Sequence, residues 1–418
     1  MKVDVAPGGP SAAEEWRLGW LLVVAALVAY GTATVYTFSL GLFIAPLQKE
    51  LGWSRGMISS GMLVSATLTG FAAPFAGRLI DVYGARRIGL AGMTIYCFAI
   101  AMLGSTSASI EHWWALWGLL ACGSLFVKPT VWISAISKNF TASRGMALAV
   151  TMSGSGIAAA LTPSITHALI EHLGWRTAYA ALGGGLFVLN MPLIWLFFYD
   201  RGRNADGTAV TAAPVLSGFD IKPSMKSRRY LQLGFIAFFM TAAMTGLQVH
   251  FVPILSGLNV SRVEAAAAAG LIGIGSVIGR LTTGYLLDRY SGPVVGGVAF
   301  LIPVGASLIL LFPFGPDAVL VGSVAAFVFG LALGAEVDIL AYLTGRYFGN
   351  KNYGTLFGTL VGLLALSAGV GPTFAGFVFD ISGSYMWFLV TTIAAFALSS
   401  LMVSTLGPYP ADFEGQGH

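Results

Sequence analysis

The sequence predicts an all-α membrane protein with twelve transmembrane helices in two six-helix bundles. Three observations support this prediction: the composition, the number of long apolar runs and an internal repeat. Of the 418 residues, 56% are hydrophobic and only 10% are charged, whereas about a quarter of the residues in a soluble globular domain are charged. A chain with so few charged side chains cannot cover its surface with them, so we expect lipid to surround most of it.

Twelve apolar runs are long enough to cross a bilayer, since about 20 residues of α-helix span its hydrocarbon core. The first run is longer than the apolar core of a signal peptide and lacks a convincing small-residue cleavage pattern, so we expect it to be retained as a helix. The runs lie at 18–43, 55–79, 88–107, 112–137, 145–170, 177–199, 230–256, 263–287, 292–313, 318–345, 355–379 and 384–406.

The basic residues predict the orientation of the chain. Most of the 22 lysines and arginines fall on the inner side if the N-terminus is cytoplasmic, as the positive-inside rule requires. The exceptions on the outer side are Lys49, Arg55, Arg176 and Arg262. We therefore expect a multi-pass protein of the cell inner membrane with both termini in the cytoplasm. The net charge of +4 follows from this topology, and because the basic residues are scattered over short turns, we expect no nucleic-acid partner.

The twelve runs divide into two halves of six. A long polar connection separates the halves, and related segments occur in both. "GRLID" at Gly77 corresponds to "GYLLD" at Gly284, and "WSRGMIS" at Trp53 corresponds to "VSRVEAA" at Val260. Parallel repeats of this kind are typical of secondary transporters. We predict an N-terminal six-helix bundle at 1–199, a cytoplasmic linker at 200–229 and a C-terminal six-helix bundle at 230–418.

The segment "GRLIDVYGARR", Gly77 to Arg87, places four charges between two long apolar runs. It resembles, residue for residue, the Gly-x-Leu-x-Asp-x-x-Gly-x-Arg-Arg signature that the major facilitator superfamily carries between helices 2 and 3. The resemblance covers nearly the whole chain and implies the fold of that superfamily. In that family the signature controls opening rather than substrate choice. The gating residues that it implies here are Gly77, Asp81, Gly84, Arg86, Arg87 and, in the degenerate second copy, Asp288.

The residue types of this segment suit a gating role. Gly77 permits close helix packing, and Asp81 can accept hydrogen bonds at a neighbouring helix N-terminus. Arg86 and Arg87 can anchor the cytoplasmic face near anionic lipid. The alternative interpretation is an ordinary basic turn on the inner side of the membrane.

Within the superfamily, the chain is similar to the monocarboxylate transporter family and its bacterial relatives. The similarity lies in "SLGLFIAPLQKELGWSRG" after helix 1, in "FTASRGMALAVTMSGSGIAAALTP" before and within helix 5, and in "GSVIGRLTTG" of helix 8, which contains Arg280. That family moves short carboxylates, typically with a proton. Two positions depart from its pattern. Phe38 stands nearest to the place of the family's helix 1 lysine, and Ser276 replaces an acid one turn before the helix 8 arginine.

Four charged residues lie inside predicted spans, namely Lys128, Arg280, Glu336 and Asp338. A charge at the centre of a membrane helix costs at least about 2.5 kcal/mol on insertion scales, so each is a candidate functional residue. Arg280 lies about 12 Å from the inner end of its helix, on a small polar stripe that includes Ser276. Because a guanidinium matches a carboxylate in shape and charge, we predict that Arg280 and Ser276 bind the substrate anion. The alternative is a structural ion pair with an acid of helix 10.

The other three charged residues inside spans are candidates for proton coupling and for a second cationic contact to the substrate. Glu336 and Asp338 are two residues apart, about 200° around a helix, so they cannot face the same space. Asp338 is the candidate counter-ion of Arg280 and proton carrier, with Glu336 next in line; the alternative is an acid that packs helices together. Lys128 is a second candidate for the substrate anion, or a lysine whose stem packs on Trp132.

Polar residues on helices 1 and 7 are further substrate-binding candidates. These are Tyr36 and Gln248, although such residues more often hold helices together. Cys97 and Cys122 lie inside predicted helices, where free thiols pack as small apolar groups. We therefore expect no disulfide, no metal site and no redox chemistry.

Together these patterns predict a secondary transporter that works by alternating access and has a small organic anion, protons and the lipid bilayer as its partners. The favoured function is proton-coupled symport of a small monocarboxylate of the lactate or pyruvate type. The alternatives are an organic-anion exchanger of the oxalate/formate type, a carrier of larger aromatic or sulfonated acids, and, from another class, a non-transporting sensor or scaffold. No catalytic or nucleotide-binding motif occurs, so we expect the protein not to be an enzyme and to have no cofactor. We also expect it to function as a monomer.

Overall fold

A computed structural model describes residues 11–140, 142–199, 218–312, 315–349 and 351–410. These residues form fourteen α-helices. The helices of the first half are α1 Ala12–Thr32, α2 Val35–Leu51, α3 Arg55–Tyr83, α4 Ala85–Met102, α5 Ile110–Leu125, α6 Pro129–Asn139 and α7 Arg144–Phe197. The helices of the second half are α8 Ile221–Lys226, α9 Arg228–Gly257, α10 Arg262–Leu287, α11 Gly292–Leu310, α12 Ala318–Phe348, α13 Tyr353–Ser382 and α14 Met386–Ser404.

The number of transmembrane spans depends on how α7 is counted. Within the described ranges, 11 helical segments are long and apolar enough to cross a membrane. One of them, α7, has 54 residues and as a single helix would be about 80 Å long, more than twice the thickness of the hydrocarbon core. Its chain turns at Gly174, whose φ of 74° favours glycine. α7 therefore contains two spans, and the prediction of twelve transmembrane helices is confirmed.

Two of the spans are interrupted in the middle. α1 and α2 together form the span Ala12–Leu51, and α5 and α6 together form the span Ile110–Asn139. In the second case the helix resumes at Pro129, which suits a first helical position because it has no N–H group to satisfy. This break places Lys128 at the N-cap of α6, inside the span.

The contacts of the chain define two compact units. The first unit comprises 1–36, 71–158 and 169–208, and the second comprises 37–70, 159–168 and 209–418. Buried aromatic rings fill the core of each unit, such as Trp113 and Trp117 in the first and Phe300 and Phe329 in the second. Of the predicted linker, residues 200–217 lie outside the described part of the chain, as do both termini. The division into bundles at 1–199 and 230–418 stays a prediction.

Candidate functional site

Helices α10 and α12 approach each other at backbone distance. A Cβ atom added at Gly279 would lie 2.0 Å from the carbonyl oxygen of Leu331, and one added at Gly334 would lie 2.0 Å from that of Ser276. Only glycine permits this approach, which is typical of helix interfaces in membranes. The contact brings the side chains that follow on the two helices within reach of each other.

Arg280 and Asp338 form an ion pair across this interface. Nε of Arg280 lies 3.3 Å from Oδ2 of Asp338 and donates at 3.5 Å to the carbonyl oxygen of Gly334. The side chain of Arg280 is 20% exposed and that of Asp338 is 39% exposed. The sequence-predicted anion-binding residue and the sequence-predicted proton carrier are therefore neighbours, and both remain accessible from outside the helix pair.

Glu336 points to a different neighbour. Its side chain is 3% exposed and accepts a hydrogen bond from the hydroxyl of Thr241 on α9. This agrees with the angular separation of the two acids around α12. Glu336 therefore does not share the surroundings of Asp338, and it is held in a closed contact between α9 and α12.

Ser276 and Gln248, the two polar substrate-binding candidates of the second unit, lie apart from the ion pair in their described contacts. The hydroxyl of Ser276 donates at 2.9 Å to the carbonyl oxygen of Gly273 on its own helix, and its oxygen retains capacity to accept. Gln248 is half-buried on α9. No contact of the described residues joins either side chain to the ion pair.

Lys128 lies in the first unit, at the break between α5 and α6. Lys128 is a half-buried residue and is the N-cap of α6, the end at which the helix dipole is positive. The indole N–H of Trp132 donates at 2.9 Å to the carbonyl oxygen of Val127 and fixes the turn. A basic residue therefore stands at the positive end of a helix inside a span.

Tyr36 belongs to an aromatic cluster of the first unit. Its ring centroid lies 6.4 Å from that of Tyr96 and 5.9 Å from that of Trp117, both edge-on. The hydroxyl of Tyr96 donates at 3.0 Å to the carbonyl oxygen of Thr32, and the side-chain amide of Asn190 donates at 2.8 Å to the Thr32 hydroxyl. Tyr36 is the half-buried member of this otherwise buried cluster.

The signature segment occupies the end of α3 and the start of α4. Gly77 and Asp81 lie in α3, and the packing of Gly77 and the side chain of Asp81 fall outside the described part of the structure. Gly84 has a φ of 81° and makes the sharp turn into α4 that a side chain would strain. Arg86 donates to the carbonyl oxygen of Trp195. Arg86 thus ties α4 to the end of α7, which is a contact within the protein rather than with lipid.

The remaining two gating candidates lie at the surface. Arg87 is exposed at the start of α4, and Asp288 is exposed at the C-cap of α10. No described contact joins Asp288 to another side chain. The role of these residues in gating stays a prediction.

A further group of polar residues, the Arg55 cluster, connects the start of α3 to α9, α13 and the start of α14. The carboxylate of Asp380 accepts from the backbone N–H groups of Arg55 at 2.9 Å and Gly56 at 2.7 Å, so it caps α3 from another helix. The Arg55 guanidinium donates at 2.7 Å to the hydroxyl of Tyr385. We define the Arg55 cluster as Arg55, Ser59, His250, Asp380 and Tyr385.

His250 forms the buried end of the Arg55 cluster. Its Nδ1 lies 2.7 Å from the hydroxyl of Tyr385, and its Nε2 lies 2.9 Å from the carbonyl oxygen of Pro372. Ser59 Oγ lies 3.3 Å from the same Nε2. A neutral imidazole is compatible with both of these hydrogen bonds, because Nε2–H then donates to the carbonyl oxygen of Pro372 and Nδ1 accepts from the hydroxyl of Tyr385.

Sequence reasoning missed this cluster. Arg55 counted only as an outer-side charge, and Asp380 lies just beyond a predicted span. The available signal was an acid at the end of one apolar run and an arginine at the start of another, but partners more than 300 residues apart in the chain are not visible from spacing. His250 lies near the end of the predicted span 230–256, and a lone histidine there carries no pattern that identifies a partner.

The whole-chain comparison with known proteins decides the family. The profile described as Major Facilitator Superfamily matches residues 21–372. The chain belongs to this superfamily. The resemblance drawn from the Gly77–Arg87 signature is thereby confirmed.

Relatives of this superfamily member are transporters. Human monocarboxylate transporter 12 is 23% identical over 413 residues, which cover 88% of this chain and 76% of that protein. The gallate transporter of Pseudomonas putida is 26% identical over 378 residues, covering 79% and 82%. A bacterial homologue of the human lysosomal transporter Spinster, solved in an inward-facing and occupied conformation, matches with a TM-score of 0.65 at 17% identity over 95% of both chains. That structural match supports the fold, and the family places this chain among multi-pass membrane transporters.

Proposed function

We propose that this superfamily member carries a small monocarboxylate together with a proton across the membrane by alternating access. The observation that supports this proposal most is the Arg280–Asp338 pair, with its contact of 3.3 Å and its partly exposed side chains. Arginine keeps its charge at any relevant pH, whereas an aspartate can take a proton. A permanent cation beside a titratable acid, both inside spans, is the arrangement that an anion–proton symporter needs.

Coupling follows from competition for the guanidinium of Arg280. When Asp338 takes a proton, it loses its charge and no longer competes with the substrate carboxylate for the guanidinium, which can bind a carboxylate through two parallel hydrogen bonds. When Asp338 releases the proton, its carboxylate competes again and favours departure of the substrate. One carboxylate and one proton therefore move together, and the charge of the site is the same before and after.

Lys128 adds a second cation in the first unit. Lys128 is the N-cap of α6 within a broken span, and broken helices in transporters direct such ends at anionic groups. We assign Lys128 a supporting role in attracting the anion. Glu336, held by Thr241, serves helix contact rather than coupling in this scheme.

The Arg55 cluster provides the contact that holds one side closed. It joins α3, from the N-terminal half of the chain, to α9, α13 and the start of α14 in the C-terminal half. Alternating access requires contacts between the halves that form and break. On the predicted topology this cluster lies on the outer side, opposite the Gly77–Arg87 segment.

A thermal-shift measurement on the detergent-solubilised protein tests the proposed substrate class. Lactate, pyruvate, oxalate and benzoate are compared with lactamide, which has no carboxylate. We expect lactate or pyruvate to raise the unfolding temperature, because a specific ligand stabilises the state that it binds. Arg280→Ala should remove the shift, whereas Arg289→Ala should keep it, since Arg289 stacks over the ring of Tyr285, 4.1 Å from its centroid, at the end of the same helix. Equal shifts with lactate and lactamide would contradict a carboxylate site.

The second candidate substrate is an aromatic acid. The half-buried ring of Tyr36 extends from the buried pair Tyr96 and Trp117, and aromatic rings pack well against one another. A relative is named a gallate transporter. In the same panel, a larger shift with benzoate than with lactate, lost in Tyr36→Ala, would favour this class.

A further inference from the structure

A groove between α9 and α14 is a feature that the transport mechanism does not use. It has a volume of about 750 Å³. Its walls are apolar, and three of its leucines are strongly exposed: Leu231 at 62%, Leu398 at 43% and Leu401 at 60%. Lys226 and Arg228 line the same groove at the junction of α8 and α9. It is thus an apolar groove with two basic residues at one end, which we call its rim.

The two basic side chains at the rim have no acidic partner among the described residues. Both are exposed. Their neighbour Arg229 is engaged instead, donating at 3.1 Å and 2.9 Å to the carbonyl oxygens of Leu406 and Pro408. The nearby carboxylate of Asp220 pairs at 3.0 Å with Lys351. The positive charge of Lys226 and Arg228 is therefore available to an anion at the membrane surface.

The apolar groove leads on to a second cavity further along α9. Phe235 and Leu398 also line a second cavity of about 440 Å³, whose walls include Phe239, Phe374 and Phe388. From Arg228 at the rim to Phe239 the helix rises about 16 Å. This is close to half of the roughly 30 Å hydrocarbon core. Groove and cavity together therefore extend through about one leaflet.

We propose that this groove binds one anionic phospholipid, with its phosphate at Lys226 and Arg228 and one acyl chain along the leucines towards the aromatic cavity. The charge at the rim matches an anionic headgroup, and basic pockets between membrane helices are known to take such groups. The exposed leucines match an acyl chain in length and polarity. The site lies on the side that the positive-inside pattern assigns to the cytoplasm, where anionic lipid attracts basic residues.

Lipid titration of the purified full-length protein tests the headgroup contact. Binding of phosphatidylglycerol and phosphatidylcholine is measured by native mass spectrometry, with the unfolding temperature as a second readout. We expect tighter binding of phosphatidylglycerol, weakened about five-fold by Lys226→Ala or Arg228→Ala alone and about thirty-fold by both. Lys222→Ala is the matched control, because Lys222 is exposed on α8 but does not line the groove. Equal loss in this control would overturn the proposal in favour of diffuse surface charge.

A second pair of variants tests the acyl-chain contact without changing any charge. Leu398→Trp fills the groove and should weaken binding of phosphatidylglycerol several-fold. Leu320→Trp, at another exposed leucine on α12, should not. Inorganic phosphate at the same concentration should leave the unfolding temperature unchanged. If phosphate alone reproduces the stabilisation, or if Leu398→Trp binds like the unmodified protein, the groove does not hold a lipid chain. None of these readouts involves substrate, so the proposal stands or falls separately from the transport function.

Discussion

Two charged regions of the second unit, the Arg55 cluster and the Arg280–Asp338 pair, are built differently. In the cluster, both carboxylate oxygens of Asp380 and both ring nitrogens of His250 have partners, and His250 is 0% exposed. In the pair, Nε of Arg280 lies 3.3 Å from Oδ2 of Asp338, and the two side chains are 20% and 39% exposed. A cluster whose acceptors are occupied holds helices together, whereas partial exposure makes the Arg280–Asp338 pair the better candidate for a ligand site.

The largest effect is expected when the Arg280–Asp338 pair is broken. Arg280→Ala should abolish transport, because truncation of a charged group that binds an anion costs about 2–5 kcal/mol. Arg280→Lys keeps the charge but loses the planar fork, so it should weaken binding and retain some transport. Uptake of labelled lactate into proteoliposomes and the lactate-induced thermal shift measure the two effects.

The control for this prediction is protein stability. An unpaired Asp338 can destabilise the fold on its own account, so the unfolding temperature and the amount of monodisperse protein are measured in parallel. Double replacement of Arg280 by Ala and Asp338 by Asn removes the orphaned charge and should restore the fold but not uptake. Near-native affinity in a well-folded Arg280→Ala protein would move the anion site to Lys128.

The next effect separates coupling from binding within the pair. Asp338→Asn should abolish accumulation driven by a proton gradient while sparing exchange of substrate across the membrane. An amide cannot carry the proton, but the guanidinium of Arg280 keeps the positive charge that attracts the carboxylate. Glu336→Gln is the matched comparison on the same helix and should keep pH-driven accumulation. Unchanged accumulation in Asp338→Asn together with a loss in Glu336→Gln would reverse the two assignments.

The third prediction tests whether the Arg55 cluster is a closure. Met62 is 3% exposed, and its carbonyl oxygen lies against the backbone of Gly369 on α13. In a background with Cys97 and Cys122 replaced by alanine, Met62→Cys should react slowly with an impermeant thiol reagent. Adding Asp380→Asn should speed the reaction about five-fold, since loss of a charged helix cap costs about 1 kcal/mol.

Glu15 supplies the matched control for Asp380. Its carboxylate also caps another helix, accepting from the backbone N–H groups of Ala142 and Ser143 at 2.9 Å each. Both helices of that contact belong to the N-terminal half, so Glu15→Gln should lower the unfolding temperature without changing the labelling rate. Equal labelling in the two variants would mean that Asp380 only stabilises the fold.

The sequence was sufficient for the fold. Spans of apolar residues are local features whose length is set by the bilayer, so all twelve runs could be located, even though α7 joins two of them around Gly174. The signature of residues 77–87 sufficed for the superfamily, because its charges and glycines stand at fixed spacing. Two positions of the site, Arg280 and Asp338, stood out because a charge inside a span is costly.

The sequence was insufficient for contacts between distant helices. The hydrogen bonds from Arg55 and Gly56 to Asp380 join residues 325 and 324 positions apart, and neither end carries a periodic pattern. The break that places Lys128 at a helix N-terminus was also missed, since Pro129 inside an apolar run is compatible with a kinked helix as well as with a new one. Geometry of this kind depends on packing between helices rather than on local preference.

The smallest expected effect compares the Arg55 cluster with the signature segment at the predicted opposite side. Asp81→Asn should shift the balance between inward-open and outward-open states, because the amide lacks the charge that a helix N-terminus favours. Substrate affinity should stay within about three-fold, since we expect this segment to control opening rather than to contact the substrate. If the two regions act as opposing closures, Asp380→Asn should make the Met62→Cys reporter react faster. Asp81→Asn should make it react more slowly, because a weaker inner closure favours the state in which the outer side is closed. A labelling rate unaffected by Asp81→Asn, together with a large affinity loss, would place Asp81 in substrate binding instead.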